Sequence, residues 1–317
     1  MATSFSREEI RGAAAALEGI AVRTPLVEVP ALSRRAGVPV LIKPEHRQPI
    51  GAFKIRGAFT ALARLAPDER ARGVLTHSSG NHGQALAWAA RHFGVRAVIV
   101  MPDDSPKVKV AGVERHGGEI VFCRRSERVR VAGEIAAREG LVQVPPYEHG
   151  DVILGQATCA WEVLEDRPDV ATLVVPVGGG GLLAGTAQAI LASGRPVALV
   201  SVEPDGASKV GPALAAGHPV PVADPHSIAD GLLPPAVGGL NFALFRDVVR
   251  RSVTVSDDEI VQALRLLRDA GERVEPSGAV TSAAVLAGRV PADGPIVVFV
   301  TGGNVDADVY ERLTVAL

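Results

Sequence analysis

Aromatic residues are scarce in this 317-residue chain, at 4%. That is too few for the stacking platforms that single-stranded nucleic acid requires. Charge of one sign is also lacking: 33 Lys and Arg stand against 35 Asp and Glu, a net of −2. With no basic patch, a nucleic-acid partner is not expected. No apolar run is long enough to span a bilayer, and Met1-Ala2-Thr3-Ser4-Phe5 opens onto charged residues without an apolar signal core. The only cysteines, Cys123 and Cys159, are far apart in apolar surroundings. They read as buried thiols in a reducing compartment rather than as a bridge or metal pair. Repeats, low-complexity tracts and coiled-coil heptads are absent. The expectation is a soluble cytoplasmic protein with no membrane contact.

What is present is a large core-forming fraction, 47% hydrophobic, arranged as alternating strand and helix patterns. Strand patterns fall at residues 40–43, 74–77, 97–101, 120–122, 141–144, 173–177, 197–202, 248–255 and 296–300. Helical patterns separate most of them, including 7–18, 84–93, 108–116, 127–139, 155–164, 182–192, 257–270 and 306–315. Such alternation predicts a mostly parallel sheet with helices on both faces. About nine strands is many for one open sheet, so two sheets and two domains are expected. The joints Ala66-Pro67 and Pro145-Pro146 bracket the smaller one. Residues 217–240 read as a long loop of the kind that often carries function.

Five stretches could carry chemistry. In Gly51-Ala52-Phe53-Lys54-Ile55-Arg56-Gly57-Ala58, the apolar positions Ile55, Ala58, Phe59, Leu62 and Leu65 place Lys54 at a helix start. An amine held there among apolar neighbours loses affinity for its proton. The neutral amine is a nucleophile for carbonyls and can form a Schiff base; a solvated surface lysine is the plainer alternative. Ser78-Ser79-Gly80-Asn81-His82-Gly83 follows a strand, at the sheet edge where α/β proteins bind ligands, although Ser and Asn are also ordinary helix caps. Gly178-Gly179-Gly180-Gly181 opens a helix, where successive backbone N–H groups can surround a phosphate. Its continuation to Ala184, with Glu203 ending the next strand, also fits a dinucleotide fingerprint, so a nicotinamide dehydrogenase remains a rival on that motif. Thr301-Gly302-Gly303-Asn304 brings a hydroxyl to a further strand end, and Glu275-Pro276-Ser277 begins another helix, its Glu readable as a solvated cap.

In this order and spacing, these motifs resemble the fold type II pyridoxal-phosphate enzymes, with the threonine/serine dehydratases and serine racemases as nearest members. The resemblance runs from about Val22 to Asp306 and includes Gly155-Gln156-Ala157-Thr158, Ala229-Asp230-Gly231 and Glu275-Pro276. It implies an α/β fold similar to the tryptophan synthase β subunit, with two domains, each a mostly parallel twisted sheet flanked by helices. Residues 1–66 and 149–317 would form the large cofactor-binding domain, and 73–148 a small domain that closes on substrate. A homodimer and a small amino-acid substrate are implied. Lys54 would hold pyridoxal 5′-phosphate as a Schiff base and later take the Cα proton. Phe53 would pack on the pyridine ring, Asn81 would bond its hydroxyl, and Gly178, Gly179, Gly180 and Gly181 would bind the phosphate. Thr301 would meet the ring nitrogen, and Glu275 belongs to the same cofactor shell. Ser78, Ser79, Asn81 and His82 would hold the substrate carboxylate.

A hydroxyl at Thr301, unlike a carboxylate, cannot keep the ring nitrogen protonated. Charge on Cα is then delocalised less far, which suits prompt loss of a β-substituent. The expected activity is therefore an ammonia-lyase (dehydratase) acting on L-threonine or L-serine by α,β-elimination, giving a 2-oxo acid and ammonia. Ser79, placed as a second base, and Arg128, placed near the substrate, admit a serine racemase or a threo-3-hydroxyaspartate dehydratase. Arg128 reads equally well as one arginine of a solvated helix. Tyr147 departs in the other direction, since racemases tend to have Asn there. Ala52 and Pro145 stand where the family usually has Ser and His. Glu203 and Ala207 match a family cation site, but Lys209 replaces its Asp. Its ammonium is expected to pair with Glu203 in the cation's place, so no metal is expected. Nothing resembling a regulatory domain follows the Thr-Gly-Gly-Asn turn, and isoleucine feedback is not expected.

Overall fold

The structure is a computed structural model in which residues 4–78 and 80–315 are described. Ten strands occur among them: β1 Val27–Glu28, β2 Val40–Pro44, β3 Val74–His77, β4 Ala97–Pro102, β5 Glu119–Cys123, β6 Val142–Gln143, β7 Thr172–Pro176, β8 Ala198–Pro204, β9 Val249–Val255 and β10 Ile296–Val300. They form two sheets. The larger has the order β1-β2-β10-β7-β8-β9, and the smaller β5-β4-β3-β6. Every pairing is parallel except β1 with β2. The central strands β7 and β10 read Thr-Leu-Val-Val-Pro and Ile-Val-Val-Phe-Val and are buried at every position. That is the pattern of strands covered by helices on both faces. One face packs on the helices Gly150–Asp166 and Gly181–Ser193, the other on Asp257–Asp269 and Pro276–Leu286.

Several boundaries differ from the sequence reading. Pro30–Ala36 and Pro67–Ala71 are short helices, each with Pro in its first turn. That position lacks an intrahelical N–H partner in any case, so Pro starts a helix there rather than marking a joint. The long loop contains the 3-10 turn Asp230–Leu232 and runs into a helix, Gly239–Phe245. The helix expected from Gly155 already begins at Gly150. Cys159 is buried, but Cys123, at the end of an edge strand, is only partly so. No helix among the described residues is long and apolar enough to cross a membrane.

Two features hold the helix Lys54–Arg64 in place. The first is backbone contact with Gly150–Asp166. A Cβ at Gly155 would stand 2.5 Å from the Arg56 carbonyl and 2.7 Å from Gly57 Cα, and one at Gly57 would stand 2.7 Å from the Val152 carbonyl. Only glycine on both sides permits that crossing. The second is a buried ion network. Arg56 donates to both oxygens of Glu45 at 2.7 and 2.9 Å and of Glu162 at 2.6 and 2.9 Å. Lys43 donates to Glu162 at 2.6 Å, and the Thr24 hydroxyl to Glu45 at 2.7 Å. Burial raises the Glu45 carboxyl, but the Arg56 charge outweighs it and holds the group below its ordinary range.

Removing one partner of such a network leaves a buried charge uncompensated. Arg56→Met should cost about 3–5 kcal/mol in urea unfolding; a loss below about 1 kcal/mol, as for a surface pair, would refute the network's role. Gly155→Ala should cost about 1–3 kcal/mol by overpacking, read as a lowered Tm.

Candidate active site

The carboxyl ends of strands from both sheets open onto one cavity of about 880 Å³. In parallel sheets all strands end on the same side, so the loops that follow them converge there. Lys54 reaches the wall because its helix starts beside the end of β10. The Phe53 N–H donates to the Thr301 carbonyl at 3.1 Å, and Ala52 bridges Gly302. The lysine amine therefore shares a wall with the Thr301 hydroxyl. Lys54 Nζ donates to the Pro146 carbonyl at 2.6 Å and lies 5.1 Å from the centre of the Phe53 ring. Burial pulls this amine from its ordinary 10.5 down to about 8.

At another wall the tetraglycine follows β7. Gly180 has φ +93°, a conformation that favours glycine, and the helix Gly181–Ser193 has no side-chain cap. Among the described residues, the N–H groups of Gly178 to Leu182 have no hydrogen-bond acceptor. A Cβ at Gly178 would stand 2.9 Å from the Gly231 carbonyl, and one at Gly179 would run into the Tyr147 ring at 2.2 Å. Five unpaired amides at a helix N-terminus are the donor set for an anion such as phosphate. Together with a reactive amine in the same cavity, they fit an aldehyde-bearing phosphate cofactor.

Between these walls, the Asn81 amide donates to Glu275 at 2.6 Å and accepts from Asn304 Nδ2 at 2.8 Å. Glu275 is not the solvated cap that one reading allowed. It is buried and makes no cap bond to its own helix; it lies 3.1 Å from Lys109 Nζ. Burial, then Asp230, raises its carboxyl above the ordinary range. Ser78 accepts from the Gly80 N–H at 3.2 Å. His82 Nε2 meets the Val144 carbonyl at 3.0 Å. A carbonyl only accepts, so Nε2 carries the proton. Burial, then the Lys54 charge, takes this imidazole down to about 3, so it is neutral.

Arg128 also lines the cavity, while its neighbours do not share its situation. Arg124 and Arg130 pair with Glu127 in solvent, and Arg125 is held by Asp104. Arg128 has no hydrogen-bond or ion-pair partner among the described residues. Burial and the charge of Arg125 lower its guanidinium from the ordinary value.

Phe53, Lys54, Ser78, Asn81, His82, Arg128, Gly178 to Gly181, Glu275 and Thr301 thus line one cavity. Ser79 lies outside the described residues. Glu203, Ala207 and Lys209 are buried away from the cavity lining. Sequence reasoning missed His77 and Lys109, which also line it. His77 ends β3, a position that was itself a signal. Lys109 shares a helix face with the core residue Val113 at i+4, and it crosses from the smaller sheet to Asp230 at 2.7 Å.

The family model described as "Pyridoxal-phosphate dependent enzyme" matches residues 17–302. An L-threo-3-hydroxyaspartate ammonia-lyase from Pseudomonas is 38% identical over 97% of this chain and 98% of its own. An L-threonine ammonia-lyase from Thermotoga maritima is 36% identical over 96% of this chain and 77% of its own. The solved structure of maize serine racemase superposes with a TM-score of 0.93 at 34% identity, covering 98% of this chain and 97% of that one. The motifs, the fold and these likenesses agree: the chain belongs to the fold type II pyridoxal-phosphate-dependent enzymes, and pyridoxal phosphate is its cofactor.

Proposed function

We propose that the protein is an ammonia-lyase for small β-hydroxy amino acids, and that among them it favours a β-hydroxy dicarboxylate of the 3-hydroxyaspartate type over L-serine and L-threonine. The observation that carries the substrate preference is Arg128, a cavity-wall guanidinium with no partner among the described residues, suited to a second carboxylate. The likeness to a hydroxyaspartate ammonia-lyase supports the same reading.

The cofactor, when bound, supplies the electron sink that lets a bond at the amino acid's Cα break. The chain's own residues do the rest. The amides of Gly178 to Leu182 would hold the phosphate, and Phe53 and Thr301 would flank the ring. The Ser78-to-His82 turn takes the substrate's α-carboxylate at the start of the helix Asn81–Phe93. Lys54 would hold the cofactor by its aldehyde, and its amine, when free, would take the Cα proton. Loss of that proton and of the β-hydroxyl, as water, leaves an enamine that tautomerises and hydrolyses to a 2-oxo acid and ammonia. The smaller sheet unit, residues 73–148, closes over the substrate, a movement suited to the contacts of Lys109, Asn81 and Val108 with Asp230, Glu275, Asn304 and Asp306 across the two sheets. A racemase reading rests on the likeness to maize serine racemase and on Ser79 as a second base.

Lys54→Ala should give colourless protein that no longer fixes the cofactor on borohydride treatment. The apoprotein's rate of cofactor capture should rise with pH through about 8 and level off, because the amine attacks only when unprotonated; a rate still climbing well above that pH would contradict the lowered lysine. In an ammonia-release screen, Arg128→Gln should lower kcat/KM for hydroxyaspartate about 30- to 150-fold, the loss of a contact worth about 2–3 kcal/mol. Serine turnover should stay nearly level, and equal losses on both substrates would sink the second-carboxylate assignment. Ser79→Ala should abolish any racemisation while keeping L-elimination, as read by chiral analysis of residual serine.

A further inference from the structure

Lys209 is fully buried, as is Glu203, and the chemistry above uses neither. The Lys209 ammonium sits inside a cage of oxygens: Ala207 carbonyl at 2.6 Å, Glu203 Oε1 at 3.1 Å, Leu232 carbonyl at 3.2 Å and Val177 carbonyl at 3.4 Å. The other carboxylate oxygen is taken by the N–H groups of Lys209 and Val210, at 3.0 and 2.9 Å. Glu203 is thereby oriented with Oε1 towards the amine. Burial pulls the amine down and the carboxyl up from their ordinary values, and each is opposed by the other's charge.

The caged oxygens come from three segments. Val177 immediately precedes the tetraglycine. Leu232 follows Gly231, whose carbonyl backs Gly178. Ala207 belongs to the turn Asp205–Ala207 after β8. One carboxylate oxygen and three carbonyls around one compact positive centre are the donor set of a hard cation. Without a positive centre, a buried carboxylate would be left uncompensated, and three carbonyl dipoles would converge on nothing.

We infer that Lys209 is a positioning residue, a resident cation that closes this oxygen cage and so holds the tetraglycine and the Asp230–Leu232 turn in the shape that takes the cofactor phosphate. The inference rests on the reading of Gly178 to Gly181 as the phosphate cradle. The amine occupies the place of a hard metal ion, so the wild-type protein is indifferent to added cations, and removing the amine creates an ion site.

The test is Lys209→Ala with calcium and potassium as probes. In cation-free buffer its affinity for pyridoxal phosphate, read by equilibrium dialysis, should fall about 10- to 100-fold, as when a supporting residue behind a ligand set is lost. Calcium or potassium should restore that affinity, and calorimetric titration should show one saturable cation site that the wild type lacks. If the variant folds only with cation present, refolding yield against cation concentration reads the same site. The double variant Glu203→Gln/Lys209→Met, which replaces the pair with neutral shapes, should hold cofactor weakly with no response to either ion. The proposal is overturned if the single variant binds no cation, if it fails to fold in both salts, if the site fills without restoring cofactor affinity, or if the double variant responds like the single one. All of these are binding or folding readouts, so they stand whichever amino acid the enzyme converts.

Discussion

Arg56 is the residue on which the rest of the site mechanically depends. Its guanidinium lies two residues beyond Lys54, buried between Glu45 and Glu162 and bonded to both oxygens of each. Desolvating these charges is tolerable only because the donors and acceptors are matched almost completely. Shifting the helix along or about its axis would unpair them at once. The network joins four regions that are distant in the chain: the segment at Val22 and Thr24, the strand end at Lys43 to Glu45, the lysine-bearing helix, and the helix Gly150–Asp166. The glycine contact at Gly57 and Gly155 sets how closely those two helices approach. The amine at the helix start has little freedom left and meets the cavity where the end of β10 also arrives.

Around that anchor the cavity is an exercise in charge control. Two anion-seeking walls, the unpaired amides after β7 and the guanidinium of Arg128, face a lysine whose lowered proton affinity keeps it partly neutral near pH 8. The imidazole next to it is held neutral by burial. Of the other charges on the wall, Lys109 is bound to Asp230 and Glu275 and Arg125 to Asp104, while Asp224 is exposed to solvent. The few groups without partners among the described residues are therefore the ones available to a ligand.

The fold was readable because its signals are local. Apolar runs bounded by Gly and Pro mark the buried strands, and β3 and β10 fall where their patterns put them. The tetraglycine and the Phe53-Lys54 pair announce themselves by composition. Less legible were elements whose cue is ambiguous. Ala66-Pro67 can end one segment or start a helix, and only the following turn decides. Glu275 reads as a solvated cap because nothing in its neighbours reveals Lys109 and Asn81, which lie far away in the chain and meet it only across the two sheets.

From the sequence alone came the class of chemistry: a lysine at a helix start, an amide cradle, a serine-rich turn and a neutral hydroxyl at a strand end, each a short run of residues whose backbone preferences act over a few positions. What only the tertiary structure decided was the fate of individual charges. Arg124, Arg125, Arg128 and Arg130 are alike as letters, yet one of them, Arg128, lines the cavity with no partner among the described residues. Lys54, Lys109 and Lys209 all lie at least partly buried, and of the three only Lys54 has no carboxylate partner among the described residues. Burial and pairing are set by segments packed together from opposite ends of the chain, and a titratable group's chemistry follows from that packing rather than from its neighbours in sequence.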